Sequence, residues 1–364
     1  MSARAGPAGA KGGFSARLDR IFRTSLVLVP FGVLLNLALS WFATDHSVLR
    51  SLGDLPRGYL YLALALALVP WFTNAIRLLV WTRFIGFPVT FRETFRITLG
   101  AELASSVFPT SSGGEVFRWG MMVQRGITKG QAASIVSLGY LEDLLFFALA
   151  LPTAVVVSNA WELPVLRMLG RQFRGRALLG VPVVIALLFA LGFVWRMLLA
   201  GRLGVRPRRR GLRLTARFRR RLRRTWNDFR GVWRLVAERG KTRFLFTFLV
   251  TALQWSCRYS VVTALCWFLG ARPDPVLFFL LQWVIFTAML FVPTPGASGG
   301  AEAAFYLVYS ALLPSGIIGI ATAGWRLLTF YVQLALGSVI FTSMNVLEAR
   351  GERRAPGKAV ERGS

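Results

Sequence analysis

The sequence predicts an all-α, polytopic integral membrane protein of about six to eight transmembrane helices, in two inverted repeats that each carry a Pro/Gly-broken re-entrant hairpin. Three observations predict it. The 364-residue chain is 55% hydrophobic, and the apolar residues gather into runs long enough to cross a bilayer. Its net charge of +28, carried almost wholly by arginine, collects between those runs. One polar pattern also occurs twice, as Phe108-Pro109-Thr110-Ser111-Ser112-Gly113-Gly114-Glu115 and as Val292-Pro293-Thr294-Pro295-Gly296-Ala297-Ser298-Gly299-Gly300-Ala301-Glu302. Each copy follows an apolar run, breaks it with Pro-Thr, passes through small residues to Gly-Gly and reaches a glutamate.

Residues 1–17 form a tail whose Gly/Ala-rich start predicts disorder. Lys11, Arg17, Arg20 and Arg23 precede the run Thr24 to Phe42, which is long for a signal peptide and is followed by further spans, so it reads as an uncleaved first helix. Tyr59 to Trp81 is the second span. Phe91 to Phe108 has a helical pattern but holds Arg92, Glu93, Arg96 and Glu102, too polar to face lipid all round. With a short helix over Glu115 to Gln124 it makes a hairpin tipped by Pro109 to Gly114. Such irregular backbone is tolerated at membrane depth only when buried in protein or lining a wet cavity.

Gln131 to Ser158 is the third span, with Glu142-Asp143 in its middle, and Ala177 to Ala200 is the fourth. Arg202 to Arg243 is a dense arginine loop with Trp226, Phe229 and Trp233 interleaved. Phe244 to Leu269 is the fifth span. Val276 to Val292 and Ala303 to Leu313 flank the second Gly-Gly element, either as a re-entrant pair or as full crossings. Ile317 to Met344 is the last span and residues 345–364 a basic tail. The membrane domain is 18–344, in halves 18–158 and 177–344. The positive-inside rule places both termini and the arginine loop in the cytoplasm of a multi-pass protein of the cell membrane. The segment with Arg167, Arg171, Arg174 and Arg176 runs against it. With this topology the first half starts inside and the second outside, hence the inversion.

Composition also excludes chemistry. His46 is the only histidine and Cys257 and Cys266 the only cysteines, so no zinc site or His-based nucleophile forms. The two cysteines, on opposite faces of one helix, read as core thiols. No Gly-x-x-x-x-Gly-Lys-Ser/Thr phosphate loop is present. No metal, cofactor or catalytic residue is expected. Nor is a nucleic-acid partner, because the basic residues flank membrane segments.

The candidate site combines the two tips with charges at bilayer depth. At Pro109, Gly113, Gly114, Glu115 and at Pro293, Pro295, Gly299, Gly300, Glu302, proline breaks the helix. Glycine can then turn backbone N–H groups toward an anion at the positive end of the next helix. The plainer reading is helix punctuation; the duplication favours a site. Arg118, on the same helix face as Glu115, joins Glu142, Asp143, Arg258 and Arg326. A charge at bilayer depth costs about 2.5–3.5 kcal/mol and must meet a partner or water. Pairing of Arg118 or Arg326 with Glu142 or Asp143 is the structural expectation.

Pro109…Gly113-Gly114-Glu115…Arg118, Glu142-Asp143, Pro293-Thr294-Pro295-Gly296…Gly300-Ala301-Glu302 and Arg326 resemble the lysylphosphatidylglycerol synthase transmembrane region, the flippase-like or UPF0104 family. The resemblance covers most of the chain, from Leu18 to Met344. It implies a bacterial or archaeal inner-membrane protein with a polar cavity for lipid headgroups. In the family's synthases an aminoacyl-transferase domain follows. This sequence stops soon after its last span, so that activity is not carried over. It also has Ser105-Ser106 where Asn is common and Glu115 where Asp is common.

The function expected is translocation of an anionic phospholipid or lipid-linked phosphate. The tips would receive the phosphate, Arg118 and Arg326 would offset its charge, and the carboxylates would hold those arginines or a cationic headgroup part. Anionic phospholipids are thus the expected partners, with a homo-oligomer or a lipid-modifying enzyme as further ones. Two alternatives stand beside it. One is a non-transporting partner of a lipid-modifying enzyme or glycosyltransferase, docked through the arginine loop. The other is a membrane-embedded enzyme on lipid-linked sugars that uses Glu142-Asp143.

Overall fold

A computed structural model describes residues 55–107, 113–160, 212–292 and 294–354. The N-terminal tail, the first and fourth spans, residues 108–112 with Pro109, the loop up to residue 211, Pro293 and residues 355–364 lie outside the described residues. Those described are helical, with no strand among them: α1 (Arg57–Phe84), α2 (Phe91–Val107), α3 (Gly113–Gln124), α4 (Lys129–Val157), α5 (Leu212–Arg239), α6 (Lys241–Phe268), α7 (Pro275–Met289), α8 (Gly300–Tyr309), α9 (Ser315–Arg326) and α10 (Val332–Arg354).

Local chemistry sets the boundaries. Thr90 and Glu93 form a capping box before α2: the Thr90 N–H donates to Glu93 Oε2 (2.7 Å) and the Glu93 N–H to Thr90 Oγ1 (3.3 Å). Thr128 and Gln131 repeat the device at α4. Asp274 caps α7, whose first residue is Pro275. A short π-helical turn, Leu327–Tyr331, joins α9 to α10.

α1 with 28 residues, α4 with 29 and the continuous Ser315–Leu347 with 33 are long and apolar enough to cross a membrane. α6 also has 28 residues but is more polar. Its buried face carries Thr247, Thr251 and Gln254 at helical spacing, a stripe turned into the bundle. α7 and α8, with 15 and 10 residues, rise only about 22 and 15 Å, against a hydrocarbon core of about 30 Å. Each is therefore too short to cross that core as a single straight helix.

α1 and α6 form the central antiparallel pair. Tyr59 meets Trp267 at one end (ring centroids 5.6 Å) and Trp81 meets Phe244 at the other (6.4 Å). Each end has its own apolar core built around one hairpin. At the first end Ala63, Ala67, Val262 and Leu265 pack with Ile285 of α7, Phe305 of α8 and Trp325 of α9. At the other, Leu78 and Trp81 pack with Ile97 of α2, Met122 of α3 and Leu138 of α4. The two hairpins thus approach the pair from opposite ends. α10 closes the side: Gln333 donates to the Ala67 carbonyl (2.9 Å), and Phe341 lies with Phe117 against Gly100 of α2.

One expectation is corrected. Beyond residue 211 the arginine-rich stretch is not a loop but the helix α5, which packs along the start of α4. Val232 and Val236 are buried in the second core, and Ser134 donates to the Phe229 carbonyl (3.1 Å). Gly130 lets α5 approach so closely that a Cβ there would lie 2.1 Å from the Thr225 carbonyl. The arginines Arg223, Arg224, Arg230 and Arg234 occupy the exposed face. A 3.6-residue apolar period under a high charge density produces this helix; the charge alone had suggested a loop.

Candidate functional site

Both hairpins are closed at the tip by a glycine that the opposite arm presses on. In the first, a Cβ on Gly114 would stand 1.9 Å from Ser105 Oγ and 2.5 Å from the Ala101 carbonyl of α2. In the second, a Cβ on Gly300 would stand 2.5 Å from Val292. Gly296 takes a left-handed φ of 59° with the Phe330 ring against its Cα, and Gly299 a φ of 85°. Gly114, Gly296, Gly299 and Gly300 are thus each required by packing or by backbone shape. Gly299 does not offer its N–H to a ligand: that N–H donates to Glu302 Oε2 at 2.8 Å. Gly114→Ala is expected to destabilise by about 1–3 kcal/mol through overpacking at backbone atoms, read as a lower melting temperature of the purified protein.

Glu302 and Arg326 lock the second tip. Arg326 Nε donates to Glu302 Oε1 (2.8 Å), its Nη2 donates to the Gly296 carbonyl (2.8 Å), and its guanidinium lies 4.5 Å from the Phe330 ring centre. Both residues are buried. The ion pair at the start of α3 is less enclosed. Arg118 pairs with Glu115 at 3.1 Å in the i,i+3 relation expected, both half-buried. The buried Arg118 Nε has no hydrogen-bond acceptor among the described residues.

Between the tips lies a groove of ≈ 670 Å³. Its polar lining includes Glu102 and Ser105 of α2, Glu115 and Arg118 of α3, Asp143 of α4 and Arg258 of α6. A smaller cavity of ≈ 190 Å³ adjoins it at the second tip, against Thr294, Gly296 and Arg326. The two share Glu102, Ser105, Arg258, Phe286 and Leu290, so both hairpin tips open onto one junction. Arg258 stands there over the rings of Phe286 (5.3 Å) and Trp255 (5.8 Å). Among the described residues it forms no ion pair. Pro295 lies in the turn Pro295–Ala297 of the second tip.

Glu142 and Asp143 part company. Glu142 is fully buried and does not line the groove. It accepts from Arg77 Nε (2.8 Å), Trp81 Nε1 (2.8 Å), Thr247 Oγ1 (2.6 Å) and Thr251 Oγ1 (3.3 Å). Asp143 does line the groove, accepting from Trp255 Nε1 (3.0 Å) and pairing with Arg77 at 3.1 Å. The expected partners Arg118 and Arg326 are thus replaced by Arg77, which also reaches the Gly139 carbonyl (2.9 Å) and Gln254 (3.3 Å). Glu142 is not water-accessible, so the pair cannot act as two accessible carboxylates.

Sequence reasoning passed over Arg77 because it sits inside an apolar span. A single arginine there is itself the signal, since it obliges a partner. Glu102 was noted only as a polar residue. It stands at the junction of both cavities, with no side-chain hydrogen bond or ion pair among the described residues. Among the described residues no cluster of His, Cys, Asp and Glu could hold a metal.

The model of the lysylphosphatidylglycerol synthase TM region family matches residues 25–337. A UPF0104 membrane protein of Archaeoglobus fulgidus is 24% identical over 279 residues, covering 74% of this chain and 81% of that protein. The chain belongs to the lysylphosphatidylglycerol synthase TM region family and is a membrane protein.

Proposed function

We propose that this member of the family moves an anionic, phosphate-bearing lipid between leaflets, its headgroup passing through the groove while its chains stay in the bilayer. One observation carries the reading: the protein leaves arginine nitrogens uncompensated where the two tips meet. Arg77 is engaged by Glu142, Asp143 and the Gly139 carbonyl, and Arg326 by Glu302 and the Gly296 carbonyl. Among the described residues Arg258 and the Nε of Arg118 are not so engaged, and both residues line the same groove. A phosphate offers three or more acceptor oxygens, which suits planar guanidinium forks. Hairpins that approach one site from opposite ends give a scaffold for exposing it to either side in turn.

The test is reconstitution into proteoliposomes with fluorescent phosphatidylglycerol or phosphatidylcholine, the outer leaflet being quenched chemically. Phosphatidylglycerol should equilibrate faster than in protein-free vesicles and faster than phosphatidylcholine. Arg258→Gln should slow it at least about tenfold, the loss of one charge-assisted contact of about 1.5–3 kcal/mol. No translocation of any phosphate lipid above the protein-free rate would refute the reading.

The orientation is part of the proposal: α5 and both termini face the cytoplasm. In a background with Cys257→Ala and Cys266→Ala, the exposed position Ala237→Cys on α5 should resist an impermeant thiol reagent in intact cells and react after permeabilisation. Labelling in intact cells would invert the topology.

A further inference from the structure

At the end of the α1/α6 pair that carries the first hairpin lies a cleft separate from the groove. Its volume is ≈ 490 Å³, and it is lined by Val80, Arg83 and Phe84 of α1 and Thr242, Arg243 and Phe246 of α6. Both arginines are exposed at their ends of the helices. Each is held by one contact. Arg83 Nε donates to the Val89 carbonyl (3.1 Å), and the Arg243 guanidinium lies 4.7 Å from the Phe84 ring centre. Those contacts leave the terminal N–H groups unused, and among the described residues neither arginine forms an ion pair. Two like charges on one cleft repel, and an anion between them removes that repulsion. Arg239 and Lys241, beside Gly240, add positive charge close by.

The walls say what kind of anion. Phe246 is 50% exposed, and from it an apolar stripe continues up α6 through Leu249 (58%) and Leu253 (54%) at helical spacing. A cationic cleft that runs into an exposed apolar track fits a headgroup with its chain, whereas a soluble anion would use only the cleft. We propose that this cleft is a resident site for an anionic phospholipid, distinct from the groove and outside the path of transport. Its phosphate sits between Arg83 and Arg243 and one acyl chain lies along Phe246, Leu249 and Leu253. Basic pockets between membrane helices on the cytoplasmic side are suited to such headgroups.

The test follows thermal unfolding of the purified full-length protein in detergent, titrated with phosphatidylglycerol, with phosphatidylcholine and with inorganic phosphate. It is run in an Arg258→Gln background so that the groove contributes little. Phosphatidylglycerol should raise the melting temperature saturably, and the other two should not at equal concentration. Arg83→Gln and Arg243→Gln should each raise the half-saturating concentration about fivefold, and together roughly thirtyfold. Both side chains are exposed, so the variants keep the fold. The proposal is overturned if the double variant responds like its parent or if phosphatidylglycerol has no effect. It is overturned equally if phosphate or phosphatidylcholine acts as strongly as phosphatidylglycerol.

Discussion

Replacing Arg77 with alanine is expected to destabilise the folded protein by roughly 3–5 kcal/mol, the cost of stranding a buried carboxylate. Glu142, wholly out of solvent, would keep the donors Trp81, Thr247 and Thr251 but lose the only cation it pairs with among the described residues. Asp143, Gln254 and the Gly139 carbonyl would each lose a donor as well. The network ties α1 to α4 and α6, so the loss should appear as a large fall in melting temperature and in folded yield. Arg77→Ala combined with Glu142→Gln should recover part of it, because a neutral amide is cheaper to bury than an unpaired charge. A melting temperature unchanged in Arg77→Ala would mean that the network contributes little to holding the helices together.

Arg326→Ala is the second large effect, again roughly 3–5 kcal/mol, because buried Glu302 loses its partner and the Gly296 carbonyl its donor. Arg326→Lys should be intermediate. A lysine ammonium can meet Glu302 or the Gly296 carbonyl as a point charge but lacks the planar fork that meets both. Since Arg326 is buried and holds Glu302 and the Gly296 carbonyl, its variants should lose stability and transport in parallel. Arg118→Lys should behave differently. Its partner Glu115 is half-exposed and its Nε is unpartnered, so transport should fall while the melting temperature holds. Melting curves and translocation rates measured on the same preparations separate the two roles. Parallel losses for Arg118→Lys would assign it to structure instead.

Much of this was readable in the sequence, for definite reasons. Pro-Thr and Gly-Gly break a helix whatever surrounds them, so both hairpins and the glutamates in the first turn after them could be placed. So could α1, α4 and the stretch Ser315–Leu347, whose length and apolar content set them apart. Pairing could not be read, because it depends on which helices touch. Arg77 and Glu142 are 65 residues apart, and only the α1–α4–α6 contact brings them together. For the same reason Glu142 passed for a groove residue although its neighbour Asp143 is the one that lines it: adjacent helical positions differ by about 100° in direction. α5 was hidden by its arginines, which mask an apolar stripe only a few residues wide.

The most direct test is to fix the two tips together. In the Cys257→Ala, Cys266→Ala background, Ser105→Cys on α2 and Thr294→Cys on the second tip place two thiols on the same ≈ 190 Å³ cavity. A short bifunctional thiol reagent with a cleavable disulfide should link them within one chain, stop phosphatidylglycerol translocation in proteoliposomes, and release it on reduction. Quantitative linking that leaves translocation at the unlinked rate would contradict the account, because the lipid would then cross without relative movement of the tips at the junction.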